Sequence, residues 1–426
     1  MTRPTARGVA LLAIAGGTYL AARIVGTWEL YLLSFAFLAA TLVSWLLVLA
    51  TGRKLQVARS VKPERPTAGD PLVLSFRVES DSLLPGLQAT LLHAAGDLSP
   101  RDRDIEVESL GSRTRRVVTS GPWPARRGVH HLPPLLAEAE DPLGLVRTRR
   151  RFSDTLDVTV FPRLVQLPSC LLFADMGAHR GGGGRRSPTL EASEFRGIRP
   201  YNAGEPLNRV DWKGTARTGQ LMVREMDDPT NSDLAVLLDG HAQRVVGEPP
   251  ETNFELAVQA AGSVADCALR AGHSVTLLLH ERQWRQTRLS PDTKGRRRLL
   301  ESLARATPRG ASQLGSSLRT LFVNGLPLDR TRTLVLVVLA LDRELVRSLI
   351  ALRDEGMRVS LIHVAAGSFA PAASTAASSA ALAAESQGLM LALASAGVLG
   401  LTLDRGDDLL SALSLKRAQG RHAQVR

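Results

Sequence analysis

Cysteine is scarce in this 426-residue chain: there are two, Cys170 and Cys267, far apart and outside any CxxC. That excludes a disulfide framework and a cysteine-based metal site, and it fits a reducing compartment. Aromatic residues make up only 4%. Lysine is limited to Lys54, Lys62, Lys213, Lys294 and Lys416. The formal charge is nonetheless +12, almost all of it Arg, dispersed along an Ala-, Leu- and Arg-rich chain. Nucleic-acid binding asks for a basic face with interleaved aromatics, so none is expected. A phosphate loop, GxxxxGK[ST] between a strand and a helix, is missing too. The stretch "HRGGGGRRSP", with Gly181 to Gly184, therefore reads as a linker.

What the chain does have is length for two or three domains and two long apolar runs at its N-terminus. "GVALLAIAGGTYLAARI" spans Gly8 to Ile24, and "LYLLSFAFLAATLVSWLLVLA" spans Leu30 to Ala50 without a charge. About 20 apolar residues cross a bilayer, and the short "VGTWE" between them allows only a hairpin. Arg3 and Arg7 precede the first run, and Arg53, Lys54 and Arg59 follow the second. The positive-inside rule then places both ends in the cytoplasm. The expectation is a two-pass protein of the inner (cytoplasmic) membrane with its bulk in the cytoplasm. A cleavable signal peptide is the competing reading of the first run; the second run would still return the chain inward.

The rest predicts an α+β protein: a transmembrane hairpin over 1–52, a β-rich sandwich-like domain over 53–165, a linker over 166–192, a charged motif over 193–232 and an α/β domain over 233–426. "LVLSFRVES", "LQATLLHAA", "RRVVTSGPW" and "LDVTVFPR" alternate or are β-branched, with turn residues between them, as antiparallel strands do. "RRGVHHLPPL" and "DPLGLVRTRRRF" read as further strands joined by a Pro-Gly turn. His130 and His131 are adjacent, so they point to opposite faces of their strand and suit a structural role better than one metal ion. In the last domain "DLAVLLDG", "HSVTLLLH", "TLVLVVLA", "RVSLIHVA" and "VLGLTLD" are apolar runs of buried parallel strands. They alternate with helical patterns, as in a doubly wound sheet. Ligands bind such sheets at the carboxyl ends of the strands, which singles out Asp239 and Asp342.

The motif is "EFRGIRPYNAGEPLNRVDWKGTARTGQLMVRE", Glu194 to Glu225. A helix is expected from Gly204 to Thr218, stopped by Gly219. On it Glu205, Arg209, Lys213 and Arg217 form a stripe at i, i+4 spacing, with Trp212 and Ala216 beside it partly buried. One reading pairs Arg199, Arg209, Arg217 and Arg224 with Glu194, Glu205, Asp211 and Glu225 as a clasp between the two domains. The other leaves Lys213 and the arginines free for an anionic partner surface, since Arg forks suit carboxylate or phosphate. The motif has no His, Ser or Cys, and Thr215 lacks a base, so no enzyme is expected.

This motif resembles the signature of the family called domain of unknown function 58. The matching positions are Glu194, Phe195, Gly197, Arg199, Tyr201, Gly204, Arg209, Asp211, Trp212, Lys213, Ala216, Arg217, Arg224 and Glu225; Glu205 stands where Asp is usual. "RGVHHLPPL", "DPLGLV" and "VTVFPR" are similar to the domain that precedes it in that family. The resemblance implies a von Willebrand factor A-like α/β domain and a MoxR-type AAA+ ATPase as partner, with no established activity. With the membrane hairpin, the expected function is a membrane-anchored, non-enzymatic scaffold or adaptor that couples the ATPase to a membrane-bound or envelope client. That fold often holds Mg²⁺ or Mn²⁺ through D-x-S-x-S. Here the residues are Asp239-Gly240-His241-Ala242-Gln243, with His and Gln in place of both hydroxyls. The alternative function, a metal-dependent binding or hydrolytic module, would rest on Asp239 and Asp342.

Overall fold

A computed structural model describes residues 2–52, 55–80, 87–92, 105–110, 114–152, 155–170, 172, 194–200, 210–227, 233–323, 331–370 and 376–414. The Gly181–Gly184 stretch, Tyr201, Glu205 and Arg209 lie outside them. Two units emerge, Met1–Arg163 and Leu164–Arg426.

The first unit begins with a short strand, β1 (Thr2–Pro4), followed by helices α1 (Ala6–Val25) and α2 (Trp28–Gly52). Both helices are long and apolar enough to cross a membrane. Thr5 caps α1 by accepting from the Gly8 amide, and Gly26 ends it at φ 75°, a left-handed turn that suits glycine. Small residues let the helices approach: the Ser34 hydroxyl donates to the Ala15 carbonyl at 2.8 Å, as expected of helix pairs that must satisfy polar groups internally. Ile14, Leu20, Phe35 and Leu42 stay exposed on the outside of the pair, where lipid would cover them.

Nine strands follow: β2 (Leu55–Lys62), β3 (Pro71–Ser80), β4 (Leu87–Leu92), β5 (Ile105–Leu110), β6 (Thr114–Pro124), β7 (Gly128–Leu132), β8 (Leu136–Glu140), β9 (Val146–Arg151) and β10 (Leu156–Val160). They form antiparallel sheets ordered β1-β9-β8-β4-β5, β2-β3-β6 and β10-β7. Alternation places Leu72, Leu74, Phe76 and Val78 in a core shared with Leu91, Val107, Leu132 and Val160.

The "DPLGLV" turn anchors the hairpin to this unit. Buried Asp141 accepts from the amides of Leu143, Leu145 and Val146 at 3.0, 2.8 and 2.7 Å. The turn so shaped offers its carbonyls to the start of α1: the Thr5 hydroxyl donates to Gly144 at 2.6 Å and the Thr5 amide to Leu145 at 2.9 Å. A Cβ on Gly8 would lie 2.2 Å from the Leu145 oxygen, so only glycine permits this approach. Because β1 pairs with β9, the segment before α1 and the strands after α2 lie on one side of any bilayer the hairpin crosses.

The second unit contains β11 (Glu194–Pro200), α3 (Trp212–Thr218), β12 (Met222–Asp227), β13 (Asp233–Asp239), β14 (Gly247–Glu248), β15 (Glu251–Thr252), α4 (Asn253–Arg270), β16 (Val275–His280), β17 (Trp284–Leu289), α5 (Thr293–Ala304), α6 (Leu314–Val323), β18 (Thr331–Val338), α7 (Arg343–Asp354), β19 (Arg358–Val364), α8 (Ala376–Ser395), β20 (Leu399–Leu403) and α9 (Leu409–Leu413). Its main sheet runs β17-β16-β13-β18-β19-β20. Along β13, Leu234, Val236 and Leu238 enter one core with α4, α5 and α9, while Ala235 and Leu237 enter another with α6, α7 and α8. Both faces are therefore covered by helices, which makes the sheet doubly wound. One correction concerns its edge: β17 runs antiparallel to β16, so the sheet is mixed rather than wholly parallel.

Candidate functional site

The motif folds as β11 and β12, paired antiparallel from Glu194↔Asp227 to Pro200↔Met222, with α3 between them. The helix is shorter than its charge spacing predicts. Val210 forms a bridge with Val223, and Asp211, in extended conformation, caps α3 by accepting from the Gly214 amide at 3.1 Å. A residue that must be extended to cap cannot also continue a helix from Gly204. The α3 turn is tied to β12 at two more points: the Asp211 amide donates to the Met222 carbonyl, and the Met222 amide donates to the Thr215 hydroxyl at 3.0 Å.

These ties fix what α3 presents. Asp211 is buried and structural, but Trp212 is 69% exposed, not partly buried as its neighbours predict, and Ala216 is exposed as well. Lys213 and Arg217, four residues apart, are exposed beside Trp212. No ion pair within the described residues involves either cation. The side chains of Glu194, Arg199, Arg224 and Glu225 lie outside the described residues, although their backbones form the β11–β12 ladder.

At the carboxyl ends of the main strands a second cluster forms. Asp239, fully buried, accepts from the His241 amide at 3.1 Å with Oδ1 and from the Leu339 amide at 3.4 Å with Oδ2. The His280 ring stands between Asp239 and Ser312: Nδ1 is 3.2 Å from Asp239 Oδ1 and Nε2 is 3.1 Å from Ser312 Oγ. Trp284 packs on that ring, centroid to centroid 4.8 Å. Backbone bonds knit the same edge, from Gly240 to His280, Ala242 to Gly310 and Gly310 to Gly240. A Cβ on Gly240 would meet the His280 oxygen at 2.5 Å, so this closeness requires glycine.

Asp342 has a different setting. Its Oδ1 caps α7 by accepting from Leu345 at 2.7 Å, and its Oδ2 pairs with Arg244 at 2.9 Å. Every carboxylate oxygen of Asp239 and Asp342 thus has a protein donor. The Arg244 guanidinium brings to Asp342 the positive charge that a cation would otherwise supply. Among the described residues no group of three His, Cys, Asp or Glu is placed to hold a metal.

The Asp239–His280–Ser312 contact was not found from the sequence. Asp239 and His280 end two separate strands, β13 and β16, and Ser312 lies in the loop before α6, so no local spacing links them. The usable signal was positional: His280 ends the apolar run "HSVTLLLH" at the edge where α/β sheets place ligands.

His130 and His131 have separate partners: His130 Nε2 contacts the Arg126 carbonyl at 2.7 Å and His131 Nδ1 contacts Asp157 at 2.7 Å.

A hairpin of two helices long and apolar enough to cross a membrane, an antiparallel β unit and a doubly wound α/β unit of strand order β17-β16-β13-β18-β19-β20 make up the described chain. Residues 197–365 match the family described as protein of unknown function DUF58. The uncharacterized protein YeaD of Bacillus subtilis (strain 168) is 24% identical over 282 residues, 62% of this chain and 65% of that protein. The chain therefore spans just under two thirds of that curated relative. Among solved structures, the SpRpn10 VWA domain has 14% identity and a TM-score of 0.28, covering 42% of this chain and 92% of its own. An aerotolerance-related membrane protein from Bacteroides fragilis NCTC 9343 has 12% identity and a TM-score of 0.28, covering 42% of this chain and 94% of its own. The fold assignment rests on strand order and register, not on these two similarities.

Proposed function

We propose that this chain is a non-enzymatic scaffold, anchored in the inner membrane with its bulk in the cytoplasm, that couples a MoxR-type AAA+ ATPase to a membrane or envelope client. The observation that carries the reading is the exposed Trp212–Lys213–Arg217 face on α3, a helix held rigid by its cap and its ties to β12. An aromatic ring flanked by two cations is what interface hot spots are made of, and a preorganised face loses little entropy on docking. An acidic partner surface complements it. Arg3, Arg7 and Arg59 beside the hairpin support the cytoplasmic placement.

The test is copurification of the full chain in detergent with the MoxR-type ATPase of the same cell, with and without nucleotide. Lys213→Ala plus Arg217→Ala should cut recovery about tenfold or more, as truncating hot-spot contacts does. Failure to recover any complex in either nucleotide condition would sink the scaffold reading.

A second reading, a hydrolytic module, is favoured by the Asp239–His280–Ser312 contacts. His280 would act as base toward Ser312, with Asp239 holding the ring. A fluorophosphonate probe that labels the full chain, and fails to label Ser312→Ala, would favour this reading over the scaffold.

A further inference from the structure

The hairpin enters the first unit through charged ground. Register sets Arg3 of β1 directly opposite Arg147 of β9. Alternation along β9 then places Arg147, Arg149 and Arg151 on one face, and all three are exposed. Like charges directly across an antiparallel pair are unfavourable unless something neutralises them. Two carboxylates do part of this. Glu138 takes Arg149 Nε at 2.7 Å and Arg147 at 3.2 Å, and Glu140 pairs with Arg147. Among the described residues of this face, four guanidiniums stand against two carboxylates, Glu138 and Glu140. Among the described residues no ion pair is recorded for Arg3 or Arg151.

The four arginines and Glu138 line a pocket of about 560 Å³, whose rim includes Ala6, the first residue of α1. A cavity with unbalanced guanidiniums, opening where a membrane helix begins, lies at the depth of lipid headgroups. Arg forks bind phosphate oxygens bidentately.

We propose that this pocket binds the phosphate of an anionic phospholipid headgroup, held chiefly by Arg3 and Arg151, with Arg147 and Arg149 kept in place by Glu138. A bound headgroup would neutralise the Arg3–Arg147 opposition and seat the β unit against the bilayer. The proposal rests on the hairpin crossing the membrane, and it is independent of the ATPase partnership.

The test uses the full chain, purified in detergent and exposed to equimolar phosphatidylglycerol and phosphatidylcholine, with retained lipid read by native mass spectrometry. Phosphatidylglycerol should be retained in preference to phosphatidylcholine. Arg3→Gln plus Arg151→Gln should lower that retention about thirtyfold, taking the usual contribution of each basic residue near a lipid surface. The Lys versions of both substitutions should keep most of it. Arg151→Gln alone should lose about fivefold; it leaves the hairpin flank untouched and decides the matter if the double variant fails to fold. Equal retention of the two lipids, or retention unchanged in Arg151→Gln, would overturn the proposal. So would complete displacement of lipid by millimolar inorganic phosphate, which would mark a site for a free anion. A chain that leaves the membrane fraction under carbonate would instead overturn the membrane reading itself.

Discussion

Replacing Asp239 by Ala separates a structural carboxylate from a metal ligand. In the fold Asp239 is fully buried and takes three donors: the amides of His241 and Leu339 and the His280 ring. Removing it strands two buried amides, each left unsatisfied at a cost of about 1–3 kcal/mol, and frees a buried ring from its acceptor. Breaking a buried charged contact by deleting one partner costs about 3–5 kcal/mol, and the two routes agree on roughly 4 kcal/mol for Asp239→Ala. In a domain of this size each kcal/mol moves the midpoint by about 2–4 °C, so a fall of roughly 8–16 °C is expected in that unit. Asp239→Asn keeps one acceptor oxygen but points its amide group at another donor, so about half the loss is expected. The assay is scanning fluorimetry of the full chain in detergent, with Mg²⁺, with Mn²⁺ and with a chelator. The structural account requires the same fall in all three conditions. Stoichiometric metal on the wild type that the variant loses, with a midpoint unchanged once the chelator is present, would refute it.

Three further outcomes are expected. Burial pushes the His363 imidazole down from 6.5 to about 4, so the fold holds it neutral; stability present above pH 6.5 is lost as pH falls toward 4, by about 3 kcal/mol in full. His363→Leu should flatten that slope in unfolding measured between pH 7 and 4. Burial also pushes the Cys170 thiol up to about 12 and raises Cys267, so neither forms thiolate at neutral pH; iodoacetamide at pH 7.5 should label neither until the chain is unfolded, and rapid native labelling would contradict this packing. Asp141→Ala removes three charge-assisted bonds that shape the turn under α1, and should destabilise the first unit by roughly 3 kcal/mol or more; limited proteolysis should then cut near residues 141–145, and a protected turn would argue against the anchoring role.

The parallel strands were legible because a strand covered on both faces is apolar throughout, as "DLAVLLDG" is. The edge strand β17 escaped for the converse reason: "WRQTRL" is half-buried and carries two Arg, so it shows no apolar run. The i, i+4 spacing from Glu205 to Arg217 implied a long helix, but spacing is only a weak prior, and the Asp211 cap and the Val210–Val223 bridge outweigh it. Exposure of Trp212 is invisible to composition, since a large aromatic is buried more often than not. In "DPLGLV" the turn itself was readable; its role toward Thr5 was not, because the partners are separated by 139 residues. The Asp239–His280–Ser312 contact likewise exists only once the ends of β13 and β16 and the loop before α6 are brought to one edge.

The Arg-rich composition takes on meaning only when its charges are placed. Much of that charge is neutralised where it stands: Arg270 and Arg296 share Asp266, Arg285 pairs with Glu281, and Arg244 with Asp342. Such pairs add little when exposed, but they remove their charge from the outward field. What acts on a partner is therefore the charge left over at defined places. Two such places are the Lys213–Arg217 face, beside an exposed ring, and the Arg3–Arg151 pocket, at the foot of α1. They differ in what they can hold. The α3 face carries an exposed aromatic ring, which suits a protein surface; the pocket is concave and lined by guanidiniums, which suits one phosphate. Salt should separate them, because screening acts most on the open face: ATPase recovery should fall with ionic strength well before lipid retention does.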